Sequence, residues 1–89
     1  MRITFDPVKN ARNIAKHGLD FERAYYFDWS AAQLEIDTRK DYGEPRYNAV
    51  GMIDGELCFM SFTYRDGNAR VISLRTANKK ERKHYEKTR

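Results

Sequence analysis

The passage RYNAVGMI (residues 46–53), DG (54–55) and ELCFMSFTYR (56–65) decides the fold. Asp54-Gly55 between two apolar runs favours a two-residue type I′ turn, which fixes a hairpin and its register. Ile53 then pairs with Glu56, Gly51 with Cys58, Ala49 with Met60 and Tyr47 with Phe62, all on one face with Tyr64. The opposite face pairs Met52 with Leu57, Val50 with Phe59, Asn48 with Ser61 and Arg46 with Thr63, and runs on to Arg65. The first face is apolar throughout, whereas the second turns polar at one end. A further turn at Asp66-Gly67-Asn68 leads into a strand over Arg70–Arg75. Matching Ile72 and Leu74 to the Phe62 face places Val71, Ser73 and Arg75 on the other. Arg46, Asn48, Ser61, Thr63, Arg65, Ser73 and Arg75 are thereby expected to gather on one sheet surface.

Outward from the hairpin, Arg2–Phe5 reads as a short strand, and Asp6-Pro7 gives an N-cap carboxylate with proline at the first helical position. At 100° per residue Val8, Ala11, Ile14 and Ala15 share one arc of that helix, while Lys9, Asn13, Lys16 and His17 share the opposite one; Gly18 stops it. Asp20 caps a second helix through Phe21 and Ala24 that ends near Trp29, and Gln33–Asp37 is a strand before the loop Thr38–Pro45. Thr76 caps a last helix from Ala77. On it Ala77, Glu81, His84, Tyr85 and Thr88 form one stripe and Lys79, Lys80, Lys83 and Lys87 another, so it has almost no apolar face and needs a partner or ligand to hold it. The expected class is α+β: a mainly antiparallel sheet with two N-terminal helices and one C-terminal helix.

At 89 residues and 10.6 kDa, with 34% charged residues, the chain is expected to form a single domain over 1–89 with one modest core and no large enclosed cavity. Cys58 lies in an apolar stretch with no Cys or His at metal-ligand spacing, and is expected to be a buried thiol in a reducing compartment. Neither a signal peptide nor a run of about 20 apolar residues is present, so the expected location is the cytoplasm, with no membrane partner. The net charge of +4 is unevenly spread. Residues 1–37 and 38–66 each carry −1, and residues 67–89 carry +6, from Arg70 through Lys79, Lys80, Arg82, Lys83 and Lys87 to Arg89.

A sheet face bearing arginines beside small hydroxyls suits phosphates, because guanidinium forks and Ser, Thr and Asn hydrogen bonds hold a nucleic-acid backbone without reading sequence. Arg46, Ser61, Thr63 and Ser73 on that face, Lys9 and Lys16 on the first helix, and Arg70, Lys79 and Arg82 from the basic run are candidate RNA contacts. Structural salt bridges to Asp37, Asp41, Glu44 and Asp66 are the alternative use of the arginines. Glu81, His84 and Tyr85, on the stripe that follows Arg75, are groups able to move protons. RNA is cut when its 2′-hydroxyl is deprotonated and attacks the adjacent phosphorus, which requires a base, an acid and cations. Glu81 or His84 is a candidate base, Tyr85 or a histidine the acid, and Arg75 with Arg65 the charge stabilisers. His17 closes the first helix, where capping, RNA contact and proton transfer are all open. No zinc spacing, phosphate loop or Ser-His-Asp set is present, so the expected chemistry uses neither metal nor cofactor. The same cationic face would equally serve a non-catalytic nucleic-acid-binding module, and the basic last helix a structural partner.

Phe5-Asp6-Pro7 with Lys9, Asn13, Lys16-His17-Gly18 and Phe21, then Gly43-Glu44 with Arg46, Tyr64-Arg65, Arg70, Ile72-Ser73, Arg75, Ala77, Glu81-Arg82 and Tyr85, resembles the BrnT toxins over nearly the whole chain. Phe5 stands where the family often has Trp, and Leu74 where it often has Ala. The resemblance implies a RelE-like fold and a ribonuclease that arrests growth. It also implies neutralisation by a BrnA antitoxin with a ribbon-helix-helix segment, and operator DNA bound only through that antitoxin. Among site residues it favours Arg65, Arg75, Glu81 and Tyr85, with His17 and Lys16 from the first helix and His84 ranked lower. A cognate antitoxin is expected to cover Arg65, Arg75 and the last helix with acidic and apolar groups.

Overall fold

The computed structural model describes residues 2–88; Arg89, the last of the basic run, lies outside them. The hairpin is as expected. β3 (Tyr47–Ile53) and β4 (Glu56–Arg65) pair in the register set by Asp54-Gly55, both of which adopt positive φ (48° and 84°) as a type I′ turn requires. Asp66-Gly67 repeats the device (53° and 77°) and feeds β5, which is longer than expected at Asn68–Thr76. β1 (Ile3–Thr4) adds in parallel to β5, and β2 (Gln33–Ile36) adds antiparallel to β3, giving one sheet in the order β1-β5-β4-β3-β2. The architecture is α+β.

One expectation about β5 needs correction. A bulge between Ser61 and Phe62 pairs Ser61 with Ser73 but Phe62 with Val71, so Ile72 is the extra residue. Val71 therefore enters the core at 1% exposure, and Arg70, opposite Thr63, takes the polar face in its place. Ser73 and Arg75 keep their expected side.

The core covers the face of Ala49, Ile53, Met60, Phe62, Val71 and Leu74, closed by Phe21, Ala24 and Phe27. Full burial of side chains such as Phe21, Phe62 and Met60 stabilises by roughly 1.5–3 kcal/mol each. Those covering residues stand on and beside a 3₁₀ helix, Phe21–Tyr26, followed by a second at Trp29–Ala31, rather than on one α-helix. Asp20 caps the first and Asp28 the second, and the backbone breaks at Phe27 so that its ring can lie on Gly51. A Cβ at Gly51 would come 2.6 Å from that ring.

α1 (Pro7–His17) starts from Asp6, whose carboxylate accepts from the Val8 N–H, and ends at Gly18 with φ 74°. It docks through its asparagines. Asn13 is buried; its amide donates to the Leu74 carbonyl (2.7 Å) and the Leu19 carbonyl (2.9 Å) and accepts from the Leu74 N–H (3.1 Å). Asn10 receives the Phe21 N–H and donates to Asp20, locking the helix to the segment that follows. The apolar arc of Val8, Ala11, Ile14 and Ala15 faces solvent instead.

α2 (Lys79–Thr88) starts two residues later than expected. Asn78, not Thr76, is its cap: the Asn78 side chain accepts from the Glu81 N–H and Glu81 accepts from the Asn78 N–H, a reciprocal box. It lies on the second sheet face, where Leu57, Ala77 and Tyr85 form a separate small core with Val50 and Met52.

Replacing Asn13 by Ala leaves the Leu74 N–H and C=O buried without partners, at about 1–3 kcal/mol for such a group. Asn13→Ala is expected to lower the urea midpoint of unfolding with an unchanged denaturant slope.

Candidate active site

The polar part of the second sheet face is built in cross-strand rows. Glu35, Asn48, Ser61 and Ser73 form one row across β2, β3, β4 and β5, and Gln33, Val50, Phe59 and Arg75 form the next. Ser61 Oγ donates to Asn48 Oδ1 (2.8 Å), fixing the amide. A groove of about 470 Å³ lies over these rows. Its floor is Asn48, Phe59, Ser61 and Ser73; Lys16 and His17 from the last turn of α1 form one wall, and Glu35, Arg39 and Glu81 line it with Arg75. A smaller cavity of about 210 Å³ beside it carries Lys9, Arg12, Lys16 and His17 along the edge of β5.

Arg75 is the most constrained group. Its two terminal nitrogens donate to the two Glu81 carboxylate oxygens at 2.8 Å each, Nη1 also donates to the Thr76 carbonyl (3.2 Å), and the guanidinium lies 4.3 Å over the Phe59 ring. Five N–H donors on arginine, less these three, leave Nε–H and one N–H of Nη2 for an anion. Burial tends to raise the Glu81 pKa, but the Arg75 hydrogen bonds, the Asn78 N–H and the Arg75 charge together hold it below the usual glutamate value. Glu81 is thus ionised and fully engaged, which suits an orienting carboxylate better than a base. His17 has the reverse disposition: burial, then the charges of Lys16 and Arg75, push its pKa below the ordinary histidine value. At neutral pH its imidazole is mainly uncharged and able to accept a proton.

Lys16, His17, Ser61, Ser73, Arg75 and Glu81 are brought together in the groove, with Lys9 alongside. Two of the expected catalytic residues, Arg65 and Tyr85, are elsewhere, and so are five of the expected RNA contacts, Arg46, Thr63, Arg70, Lys79 and Arg82. Arg65 lies six residues along β4 from Phe59, the partner of Arg75, which at about 3.3 Å per residue is roughly 20 Å. There it pairs with Glu44 (3.0 Å), and Glu44 is held below its usual pKa by the Arg65 hydrogen bonds first, against some desolvation, with Arg65, Arg46 and Arg70 adding charge. Arg46, Thr63 and Arg70 belong to that same distant end. Thr63 donates to the Pro45 carbonyl, and Arg46 stacks 3.9 Å over Tyr42 with its Nε buried and unpartnered among the described residues. Tyr85 sits beneath α2 at 3% exposure, its hydroxyl donating to the Ala31 carbonyl (3.2 Å), because it is the apolar anchor of an otherwise polar helix. Lys79 and Arg82 are exposed on α2 outside the groove lining.

Glu35, Arg39 and Phe59 were not among the expected site residues, and His84, a candidate base, lines the cavities beside the groove rather than the groove itself. Arg39 is held by Asp37 (2.8 Å), whose carboxyl it keeps far below the usual range. Glu35 was hidden because its place depends on the pairing of β2 with β3, and the connection between those strands carries no turn signal that sets a register. Among the described residues no helix is long and apolar enough to cross a membrane.

A model of the family described as the BrnT ribonuclease toxin of type II toxin-antitoxin systems matches residues 5–81, most of the chain. No curated protein matches it.

Because the folded pKa of Glu81 is depressed, its ion pair stabilises the protein above the usual glutamate range and the contribution is lost as pH falls through the lowered value. Stability measured by urea unfolding is expected to drop more between pH 7 and pH 4 in the wild type than in Glu81→Gln.

Proposed function

We propose that this chain, which belongs to the BrnT family of ribonuclease toxins of type II toxin-antitoxin systems, cuts RNA in the groove between α1, the sheet and α2 without a metal ion. The observation that carries the reading is a neutral histidine and a pre-oriented arginine in one groove: His17 with its lowered pKa, and Arg75 held in a fork by Glu81. His17 takes the proton of a ribose 2′-hydroxyl, and that oxygen bonds to the adjacent phosphorus. The bond from phosphorus to the 5′-oxygen breaks, the leaving oxygen takes a proton from solvent, and the products are a 2′,3′-cyclic phosphate and a 5′-hydroxyl. Arg75 and Lys16 supply positive charge where the pentavalent phosphorus gathers negative charge. Ser73 offers a hydroxyl along the floor, where Ser61 holds the Asn48 amide; Glu81 is a positioning residue acting through Arg75, and Tyr85 holds α2 in place.

Arg46, Arg65 and Arg70 at the far end of the same face hold the backbone of the strand as it continues, too far from Arg75 to share its phosphate. Lys9 extends the contact on the α1 side, and Lys79 and Arg82 contribute long-range attraction from α2. The toxin of a type II system has a protein antitoxin as its partner. For this chain that partner is read as a BrnA-like protein that covers the groove, with a ribbon-helix-helix segment carrying any operator binding, in the cytoplasm. Family membership and the cationic groove support this reading.

Partner-free protein incubated with a long unstructured RNA in EDTA is expected to leave 2′,3′-cyclic ends, and Arg75→Ala to cut at least about 100-fold more slowly. Intact RNA with tight, salt-sensitive binding would instead favour a binding module. A base must be deprotonated to act, so kcat/KM should fall on the acid side through a pKa below the ordinary histidine value. His17→Gln should remove that limb from the profile.

A further inference from the structure

The groove does not end at Arg75. Between the sheet and α2 it continues into two adjoining cavities of about 110 and 360 Å³, and Glu35, Val50, Phe59 and His84 line both. Val50 and Phe59 give this cleft an apolar floor, a surface on which a planar base rather than a phosphate is stable. Phe59 also carries the Arg75 guanidinium at 4.3 Å, so the anion site and the apolar floor share one ring. A nucleotide with its phosphate on Arg75 has its base over the cleft.

Glu35 is the anomaly. It lines the groove and both cavities, is exposed, and has no hydrogen bond or ion pair among the described residues. An uncompensated carboxylate weakens a phosphate site. It accepts hydrogen bonds and donates none, on two adjacent oxygens. Its cross-strand neighbour Asn48 is fixed by Ser61 through Oδ1, so the Asn48 amide N–H groups remain to donate. The pair therefore offers two acceptors beside a donor. Guanine alone among the standard bases shows the complement on its Watson–Crick edge, with N1–H and N2–H₂ donors next to the O6 acceptor. Adenine, cytosine and uracil each bring an acceptor against the carboxylate.

We propose that this cleft is a base-reading subsite for guanine, with Glu35 and Asn48 as its specificity determinants and Val50 and Phe59 as its floor. The proposal rests on the RNA-cleaving reading of the groove, but its central test does not need cleavage. Guanosine 3′-monophosphate, titrated against the protein by NMR beside the adenosine, cytidine and uridine 3′-monophosphates, is expected to bind about tenfold more tightly than each, a discrimination typical of a bidentate base contact. Amide shifts should centre on Glu35, Asn48, Val50 and Phe59. Glu35→Gln should bring the four nucleotides to within about twofold of one another. Equal binding in the wild type, no detectable binding, or a guanine preference that survives Glu35→Gln would each overturn the proposal.

Mapping of fragment ends on a long RNA gives a second readout. Cuts by the wild type should cluster beside guanines and spread to other bases in Glu35→Gln. A variant that loses cleavage but keeps its nucleotide preference would make Glu35 a catalytic group and sink the base-reading role. A wild type that prefers the guanosine nucleotide yet leaves RNA intact would retain the subsite while refuting the nuclease reading.

Discussion

The Asn13 amide, inserted against the outer edge of β5, is the contact on which the arrangement depends. β1 covers that edge only beside Ala69 and Arg70, so the Leu74 N–H and C=O would be left open. A primary amide has the same donor and acceptor as a peptide group, and Asn13 supplies both. It spans 61 positions in sequence and fixes α1 in rotation and height. The next turn of that helix places Lys16 and His17 at the rim of the groove. A helix docked by its apolar arc would carry those residues away from Ser73 and Arg75.

The second constraint is the fork between Arg75 and Glu81. α2 has little apolar surface, and only Ala77 before it and Tyr85 within it reach the small core beneath. Glu81 compensates by joining three things at once: the first turn of the helix through Asn78, the end of β5 through Arg75, and the orientation of the guanidinium in the groove. Even a part-buried, charge-assisted, bidentate pair costs some desolvation. Here that cost fixes the guanidinium in the groove with two of its N–H donors left over. Gln33 adds a tie from β2 to Tyr85 and Thr88, closing the helix over the cleft.

The residues differ in how far they could be read before the fold was known. The hairpin was legible because a two-residue turn leaves only one register, and every pair from Tyr47–Phe62 to Ile53–Glu56 follows from Asp54-Gly55. That register placed Asn48 beside Ser61 and set Phe59 and Ser61 on one face, to which the match of Leu74 to the core side added Arg75. Val71 and Ile72 were exchanged because both are β-branched and apolar, and nothing local says which of them bulges. His17 was legible as the end of a helix, but not as a neutral imidazole, since that state comes from burial and from Lys16 and Arg75 together. Arg65 and Arg75 looked like partners because they share a face; distance along the strand separates them.

By itself the sequence determined the strands, their turns, the caps of α1 and the polar character of one sheet face, because each rests on interactions within a few residues or across a tight turn. Family membership was readable too, since it lies in residues spread in order along the chain. The tertiary structure alone decided which arc of α1 meets the sheet, where the bulge falls, that Tyr85 is an anchor, and that Glu35 stands in the groove. Those outcomes depend on pairings between distant segments, whose energies are settled by competition for burial and hydrogen bonds across the whole molecule, and no local pattern encodes them.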